Sequence, residues 1–145
     1  MQLSEASTLY LKIRTQEGFS KFTIKAYRLQ HQLLLRDIGD VNVNDITLTA
    51  IRGHLDHHSH LKPSSMAHKI RAIKALFSWL VEEEMVLRNP TYKLKEPKCG
   101  KRVPKALTFE ELELLRDSCK TTLEHALVEF FFATGARVAE IQHIN

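Results

Sequence analysis

The sequence predicts an all-α protein in which four helices, a proline-rich linker and three further helices follow one another. Apolar residues recur every three or four positions along most of the chain, which is the spacing of one helix face. Serine, threonine or glycine stands at many ends of these stretches, where helices are commonly capped. Prolines interrupt the pattern as a group only between residues 89 and 106. We therefore expect two helical units, one before and one after that segment.

The first predicted helix spans about residues 4–16, and the second runs from a cap near Ser20 to Gly39. A third starts at Thr47. Residues spaced for one buried face are, helix by helix, Leu9, Tyr10 and Ile13, then Ile24, Tyr27, Leu34 and Ile38, then Leu48, Ile51 and Leu55.

The fourth predicted helix begins near Ser64 and ends near Glu84, before the stop signal Asn89-Pro90. Its buried stripe is formed by Ile70, Ile73, Phe77, Leu80 and Val81. At 100° per residue a polar flank falls beside this stripe, formed by Ser64, His68, Arg71, Lys74 and Ser78. Such a flank suits a DNA groove, although any surface helix also has a polar side.

The linker, residues 89–106, carries the positive charge of the chain. The whole chain has a net charge of +4. Within the linker only Glu96 opposes six basic residues, which are Lys93, Lys95, Lys98, Lys101, Arg102 and Lys105. Pro90, Pro97 and Pro104 favour an extended path. A stiff basic segment between two helical units is suited to lie along a nucleic-acid backbone; the alternative is a solvated loop.

Three more helices are predicted after the linker. Thr108 and Glu111 form a capping box that opens a helix containing Leu112 and Leu115. A second helix, about residues 122–134, is expected to bury Leu123, Leu127, Phe130 and Phe131. A third begins near Arg137, with Val138 and Ile141 facing inward. Because the sequence ends within that helix, we expect a fragment of a longer protein.

Composition excludes several classes of protein. A hydrophobic fraction of 43% with 26% charged residues is typical of a globular chain, and no apolar run is long enough to span a bilayer. Cys99 and Cys119 provide neither a disulfide framework nor a CxxC metal motif. We therefore expect a cytoplasmic protein with reduced thiols, without a membrane partner, cofactor or small-molecule substrate.

Four histidines, His54, His57, His58 and His60, allow a metal site to be considered, because two of them fall on one helix face. No cysteine is near, and Asp56 is the only carboxylate among them. We therefore expect no metal and interpret this cluster as a polar helix end.

An arginine follows a helix-ending glycine near the end of the chain. An apolar run leads into Thr134 and Gly135, and glycine ends helices with positive φ at no steric cost. Arg137 then starts the next helix, where a fixed guanidinium suits bidentate binding of a phosphate. This pattern indicates part of a phosphoryl-transfer site; the alternative is a surface pair with Glu140.

Several of these motifs, taken in order, resemble the tyrosine recombinase (phage integrase) family, nearest its Xer-like members. Thr23 and Tyr27 resemble an early Thr-x-x-x-Tyr of that family, and residues 64–80 resemble its last core-binding helix. Residues 103–108 are similar to its entry into the catalytic domain, and residues 134–141 are similar to the motif of its first catalytic arginine.

The resemblance implies a SAM-like four-helix core-binding domain at 1–88, the linker at 89–106, and a truncated catalytic domain at 107–145. It implies that the parent protein cuts and rejoins double-stranded DNA through a phosphotyrosine intermediate, as a homo- or hetero-tetramer. Arg137 would bind the scissile phosphate and Glu140 would support it. Expected DNA contacts are Thr23, Lys25, Ser64, Ser65, His68, Arg71, Lys74, Lys95, Lys98, Lys101 and Arg102.

The rest of the family's active site is not found in this sequence. That family also needs a lysine on a β-hairpin, a His-x-x-Arg, a further His or Trp and the tyrosine, all after the first arginine. No lysine, arginine, tryptophan or tyrosine follows Arg137. The His-x-x-Arg at His68 and Arg71 precedes it and does not correspond. We therefore expect the chain to bind DNA without cutting it. The alternative is a non-catalytic helical protein-interaction or regulatory module.

Overall fold

A computed structural model describes residues 1–100 and 105–142 of the chain. Contacts divide the chain into two compact units, Met1–Gly100 and Lys101–Asn145. Among the described residues all regular structure is helical, apart from one isolated β-bridge. The predicted all-α fold class is confirmed.

The first unit contains the four predicted helices. They are α1 (Leu3–Gln16), α2 (Lys21–Ile38), α3 (Leu48–Asp56) and α4 (Pro63–Glu82). A single 3-10 turn, Val43–Asp45, lies between α2 and α3 and was not predicted. Each helix begins within one or two residues of the position that the apolar spacing predicts.

Local chemistry fixes the ends of α2 and α3. The Ser20 hydroxyl accepts a hydrogen bond from the Thr23 N–H at 3.1 Å, and the Thr47 hydroxyl accepts one from the Ala50 N–H at 3.2 Å. Gly39 ends α2 with φ 87° and ψ 173°, a conformation that only glycine adopts without strain.

Helix α4 is the most extensively buried helix of the first unit. Its predicted stripe is confirmed, because Ile70, Ile73, Phe77 and Leu80 are all buried while Val81 is half-buried. Tyr10 of α1 meets Trp79 of α4 with ring centroids 5.4 Å apart in an edge-to-face arrangement. Full burial of an aromatic or aliphatic side chain of this size stabilises a fold by about 1.5–3 kcal/mol.

The chain remains packed on the first unit after α4 ends. Val86, Thr91 and Leu94 are buried, and the Asn89 side-chain carbonyl accepts hydrogen bonds from the Thr91 N–H at 2.8 Å and hydroxyl at 2.6 Å. The first part of the predicted linker therefore contributes to the core. The predicted domain limits at 88 and 107 stay a prediction.

The second unit contains α5 (Phe109–Ser118), α6 (Thr122–Thr134) and α7 (Val138–Ile141). The capping box predicted at Thr108 and Glu111 is present. Helices α5 and α6 are joined by Arg116, which donates to the two carboxylate oxygens of Glu129 at 2.6 and 3.0 Å.

The burial predicted for the second unit is wrong at several positions. Leu123 is 70% exposed, Val138 is 63% exposed, and Leu127 and Phe130 are also exposed, whereas Phe131 and Ile141 are half-buried. Only Leu112 is buried among the described residues of this unit. Three short helices have too little surface to cover the apolar sides of one another.

Candidate nucleic-acid interface

The first turn of α4 presents polar groups to solvent. Ser64, Ser65 and His68 are exposed, as an interface requires. The first helical hydrogen bond of α4 runs from the Met66 N–H to the Lys62 carbonyl, so the Ser64 and Ser65 N–H groups precede it. Lys62 provides no side-chain cap. Free N–H groups, two hydroxyls and a lysine together suit a phosphate.

Lys62 was missed by the sequence analysis. The sequence did contain a signal for it. Lysine does not cap helices through its side chain, and Lys62 directly precedes Pro63, which occupies the first helical position. A helix start without its own side-chain cap leaves N–H groups for an external acceptor.

Further along α4, the polar flank contacts the segment that follows the helix. Arg71 Nε donates to Glu96 Oε2 at 2.9 Å, and Lys74 Nζ donates to the Leu94 carbonyl at 3.4 Å. The Arg71 guanidinium lowers the pKa of Glu96 by donating a charge-assisted hydrogen bond to its carboxylate. Arg71 is still 61% exposed. The structure thus brings the predicted flank and the predicted linker together within the first unit.

The start of α2 carries the other two predicted contacts of the first unit. Thr23 is half-buried, and its hydroxyl lies 2.8 Å from the Ser20 hydroxyl, which caps the same helix. Thr23 is therefore engaged in local structure. Lys25 is exposed and lines an open cleft with Lys21 and Arg28, which the sequence analysis missed. These three cations form a positive surface on one helix.

The linker lysines lie on the surface where they are described. Lys95 and Lys98 are exposed on a stretch without regular structure after the turn at Thr91. Lys101 and Arg102 lie outside the described residues.

Gly135 and Arg137 form the corner that the sequence predicts. Gly135 ends α6 in the left-handed conformation, with φ 61°. Arg137 is the residue before α7, and its guanidinium donates to Glu140 Oε1 at 3.0 Å while its N–H donates to Glu140 Oε2 at 2.7 Å. The Arg137 side chain is 85% exposed. Its guanidinium therefore keeps donors free for an anion in addition to Glu140.

The histidine cluster meets a carboxylate that the sequence analysis did not consider. His54 Nδ1 lies 2.7 Å and His58 Nε2 lies 3.1 Å from Asp37 Oδ2. Burial disfavours charge on Asp37, but hydrogen bonds from Arg36 and His54 outweigh it and lower the pKa of Asp37 to about 2. Burial lowers the pKa of His54 to about 4. Asp37 is seventeen residues from His54, so spacing along the sequence did not connect them.

Comparison with known proteins identifies the family of the first unit. Residues 8–84 match the family described as phage integrase, N-terminal SAM-like domain. This match covers more than half of the chain and ends two residues after α4. The chain belongs to the tyrosine recombinase (phage integrase) family. The four-helix SAM-like prediction for the first unit is confirmed with it.

Curated recombinases are similar to the chain over nearly its whole length. It is 30% identical to tyrosine recombinase XerC of Bacillus licheniformis, over 92% of this chain and 48% of that relative. It is 32% identical to tyrosine recombinase XerC of Neisseria meningitidis serogroup C, over 94% of this chain and 50% of that relative. The chain therefore spans about half the length of the curated relatives it matches.

Solved integrase structures share the fold. A lambda integrase dimer bound to a COC′ core site superposes with a TM-score of 0.80 at 20% identity, over 99% of this chain and 42% of that chain. A lambda integrase tetramer bound to a Holliday junction gives a TM-score of 0.78 at 21% identity, over 95% of this chain and 42% of that chain. Within the described ranges of this family member, no helix is long and apolar enough to cross a membrane.

Proposed function

We propose that this chain is the DNA-clamping portion of a site-specific tyrosine recombinase that cuts and rejoins double-stranded DNA through a phosphotyrosine intermediate. Its first unit and linker bind the duplex, mainly through phosphates, which sets affinity and register. The chain works in the cytoplasm and needs no cofactor or small-molecule substrate. The similarity to tyrosine recombinase XerC, and the shared fold with a lambda integrase dimer bound to a COC′ core site, support this proposal.

The observation that carries the proposal is the meeting of the α4 flank and the basic segment after it. Ser64, Ser65 and His68 are exposed at the start of α4, and Arg71 and Lys74 contact residues 94–96 one to two turns later. Exposed Lys95 and Lys98 extend the same stretch of chain. Hydroxyls, N–H groups and cations combined in this way are the usual ligands of a phosphate backbone.

Salt dependence of DNA binding tests the proposal. Each phosphate neutralised by a cation contributes about −0.9 to the slope of log affinity against log salt. Alanine at Lys98, Lys101 and Arg102 together should make that slope less negative by roughly two to three. Lys12→Ala removes one exposed charge from α1 and serves as the control, with the slope almost unchanged.

Two outcomes would contradict this reading. An unchanged slope in the triple variant would show that the linker is not part of the DNA interface. Absence of salt-dependent DNA binding in the unsubstituted chain would favour the helical protein-interaction or regulatory module instead.

For residues 107–145 we propose the start of the catalytic domain. In the complete enzyme Arg137 binds the non-bridging oxygens of the scissile phosphate, and Glu140 holds its guanidinium. The exposure of Arg137 and its two hydrogen bonds to Glu140 support these roles. The coding sequence after residue 145 tests them: a His-x-x-Arg followed by a tyrosine would support the proposal, and their absence would contradict it.

For the complete enzyme we propose a homo- or hetero-tetramer on two duplexes. The similar lambda integrase tetramer on a Holliday junction supports this assembly. Mass measurement of the complete protein on a synthetic four-way junction tests it, with four protomers expected and two contradicting it.

A further inference from the structure

Three metal-ligating side chains converge on one point between α2 and α3. Asp37 is in the last turn of α2, His54 is in the last turn of α3, and His58 lies in the turns that follow α3. One ligand atom from each lies within 4.8 Å of the others. The side chains of Asp37 and His54 are almost fully buried, and that of His58 is 13% exposed.

The spacing of these atoms is close to that of a metal's ligands. Tetrahedral zinc with bonds of about 2.0–2.1 Å holds its ligand atoms about 3.3 Å apart. The two imidazole nitrogens lie 2.7 and 3.1 Å from Asp37 Oδ2 as hydrogen-bond partners. The two nitrogen–oxygen distances would thus lengthen by a few tenths of an ångström on metal binding, and all three ligand atoms already lie within 4.8 Å of one another.

We propose that Asp37, His54 and His58 form a transition-metal site that takes zinc in the first instance. Two imidazoles and one carboxylate are a donor set that zinc uses widely. On metal binding each imidazole would lose the proton that it shares with Asp37 and take up one from solvent on its other ring nitrogen, so that it binds the metal as the other neutral tautomer. Because His58 is partly exposed, solvent has access to a fourth position.

His57 is the next donor to this site. Its Nδ1 lies 3.9 Å from the same Asp37 oxygen, and its side chain is 68% exposed. An exposed imidazole at this distance reaches the site by side-chain rotation, whereas the other three residues are already in place.

A metal at this site would hold the connection between α3 and α4 in place. His58 belongs to the turns over residues 57–60, which lead towards Pro63 at the start of α4. A metal bridging His58 to Asp37 would tie these turns to α2. Ser64 and Ser65 follow within the first turn of α4. The site would thus support the position of the proposed phosphate-binding residues without contacting DNA itself.

Lys69 acts against the bound cation and gives the proposal a second test. It is buried in α4, its Nζ has no hydrogen-bond partner among the described residues, and its charge acts on both Asp37 and His54. A buried ammonium repels a nearby metal ion. Replacing it with methionine, which has a similar length and no charge, should therefore strengthen metal binding.

Thermal unfolding with and without zinc tests the site. All proteins should carry Cys99→Ser and Cys119→Ser, because free thiolates bind zinc themselves. Zinc in large excess over its Kd should raise the Tm by at least about 5 °C relative to EDTA. His58→Ala and Asp37→Asn should lose this rise. His60→Ala, an exposed histidine next to the cluster, is the matched control and should keep it.

Cobalt provides a readout that does not depend on folding stability. Co²⁺ bound by this set gives visible absorption, and a titration followed by this absorption measures the apparent Co²⁺ affinity. That affinity should fall at least tenfold in His58→Ala and rise in Lys69→Met. No zinc-induced shift in the unsubstituted protein would overturn the proposal. An equal shift in His58→Ala and His60→Ala would do so as well, as would cobalt affinity that is unchanged or lower in Lys69→Met.

Discussion

Arg71 donates from Nε to Glu96 Oε2 across 2.9 Å, which joins the polar flank of α4 to the basic segment that follows the helix. Both side chains are substantially exposed, so the pair contributes little to stability. Its importance lies in competition. A DNA phosphate that takes the Nε–H of Arg71 has to displace Glu96, whose negative charge also opposes the phosphate.

Glu96→Gln should raise the affinity for duplex DNA by about two- to fivefold at low salt. Glutamine at this position removes the exposed ion pair that Arg71 would otherwise lose on turning to a phosphate, and such a pair is worth only a few-fold in affinity. Fluorescence anisotropy with a labelled duplex measures the change. Glu83→Gln, at the end of α4, makes the same change in charge and is the control. Equal increases in DNA affinity in the two variants would show that the effect comes from net charge alone.

Phe77→Ala should destabilise the first unit by about 3–5 kcal/mol. Phe77 is fully buried in the core around α4, and truncation of a buried phenylalanine removes its transfer free energy and leaves a cavity. Phe22 is 86% exposed at the start of α2, so Phe22→Ala should change stability by less than about 0.5 kcal/mol. Urea unfolding followed by circular dichroism measures both. Similar losses in the two variants would contradict the burial of the α4 stripe.

Two glycines of the first unit should respond in opposite directions to alanine. Gly39 has φ 87° and ψ 173°, so Gly39→Ala should cost about 1–3 kcal/mol from backbone strain alone. Gly53 lies inside α3, and an added Cβ would meet no atom within 4 Å. Gly53→Ala should therefore stabilise the unit by about 0.5–1 kcal/mol. Urea midpoints that move in the same direction would contradict this assignment of conformations.

The sequence predicted the first unit well because its signals are local. Apolar spacing defined the stripe from Ile70 to Leu80, and side-chain caps defined the start of α2 at Ser20. The same signals failed for Leu123 and Leu127, because spacing shows which face is apolar but does not reveal what covers it. Residues that meet over long separations were also missed, such as Asp37 with His54, since no local pattern connects them.

Buried polar residues are the other group that spacing did not predict. His31 and Lys69 are 1% and 2% exposed on faces that apolar residues dominate. Their polar character concealed their burial, and only the folded arrangement shows it. His31 Nδ1 lies 2.9 Å from the Ser7 hydroxyl, and its ring packs near Tyr10 and Tyr27.

Burial of His31 makes the stability of the first unit depend on pH. Burial lowers the pKa of His31 to about 4, below its ordinary value of 6.5. As pH falls through 6.5, the unfolded chain binds a proton at this histidine, whereas the folded chain does so only near pH 4. The contribution of His31 to the free energy of unfolding is therefore fully present above pH 6.5. It falls by about 3 kcal/mol between pH 6.5 and pH 4.

Substitution of His31 separates its contribution from those of other titrating groups. His31→Gln removes the titration and keeps a polar side chain beside Ser7, so its unfolding free energy should fall less steeply between pH 7 and pH 4. We expect the two curves to converge by about 3 kcal/mol across this window. Urea unfolding at half-unit pH intervals measures the difference. Curves that stay parallel would mean that His31 is protonated in the folded protein and that its ring has access to solvent.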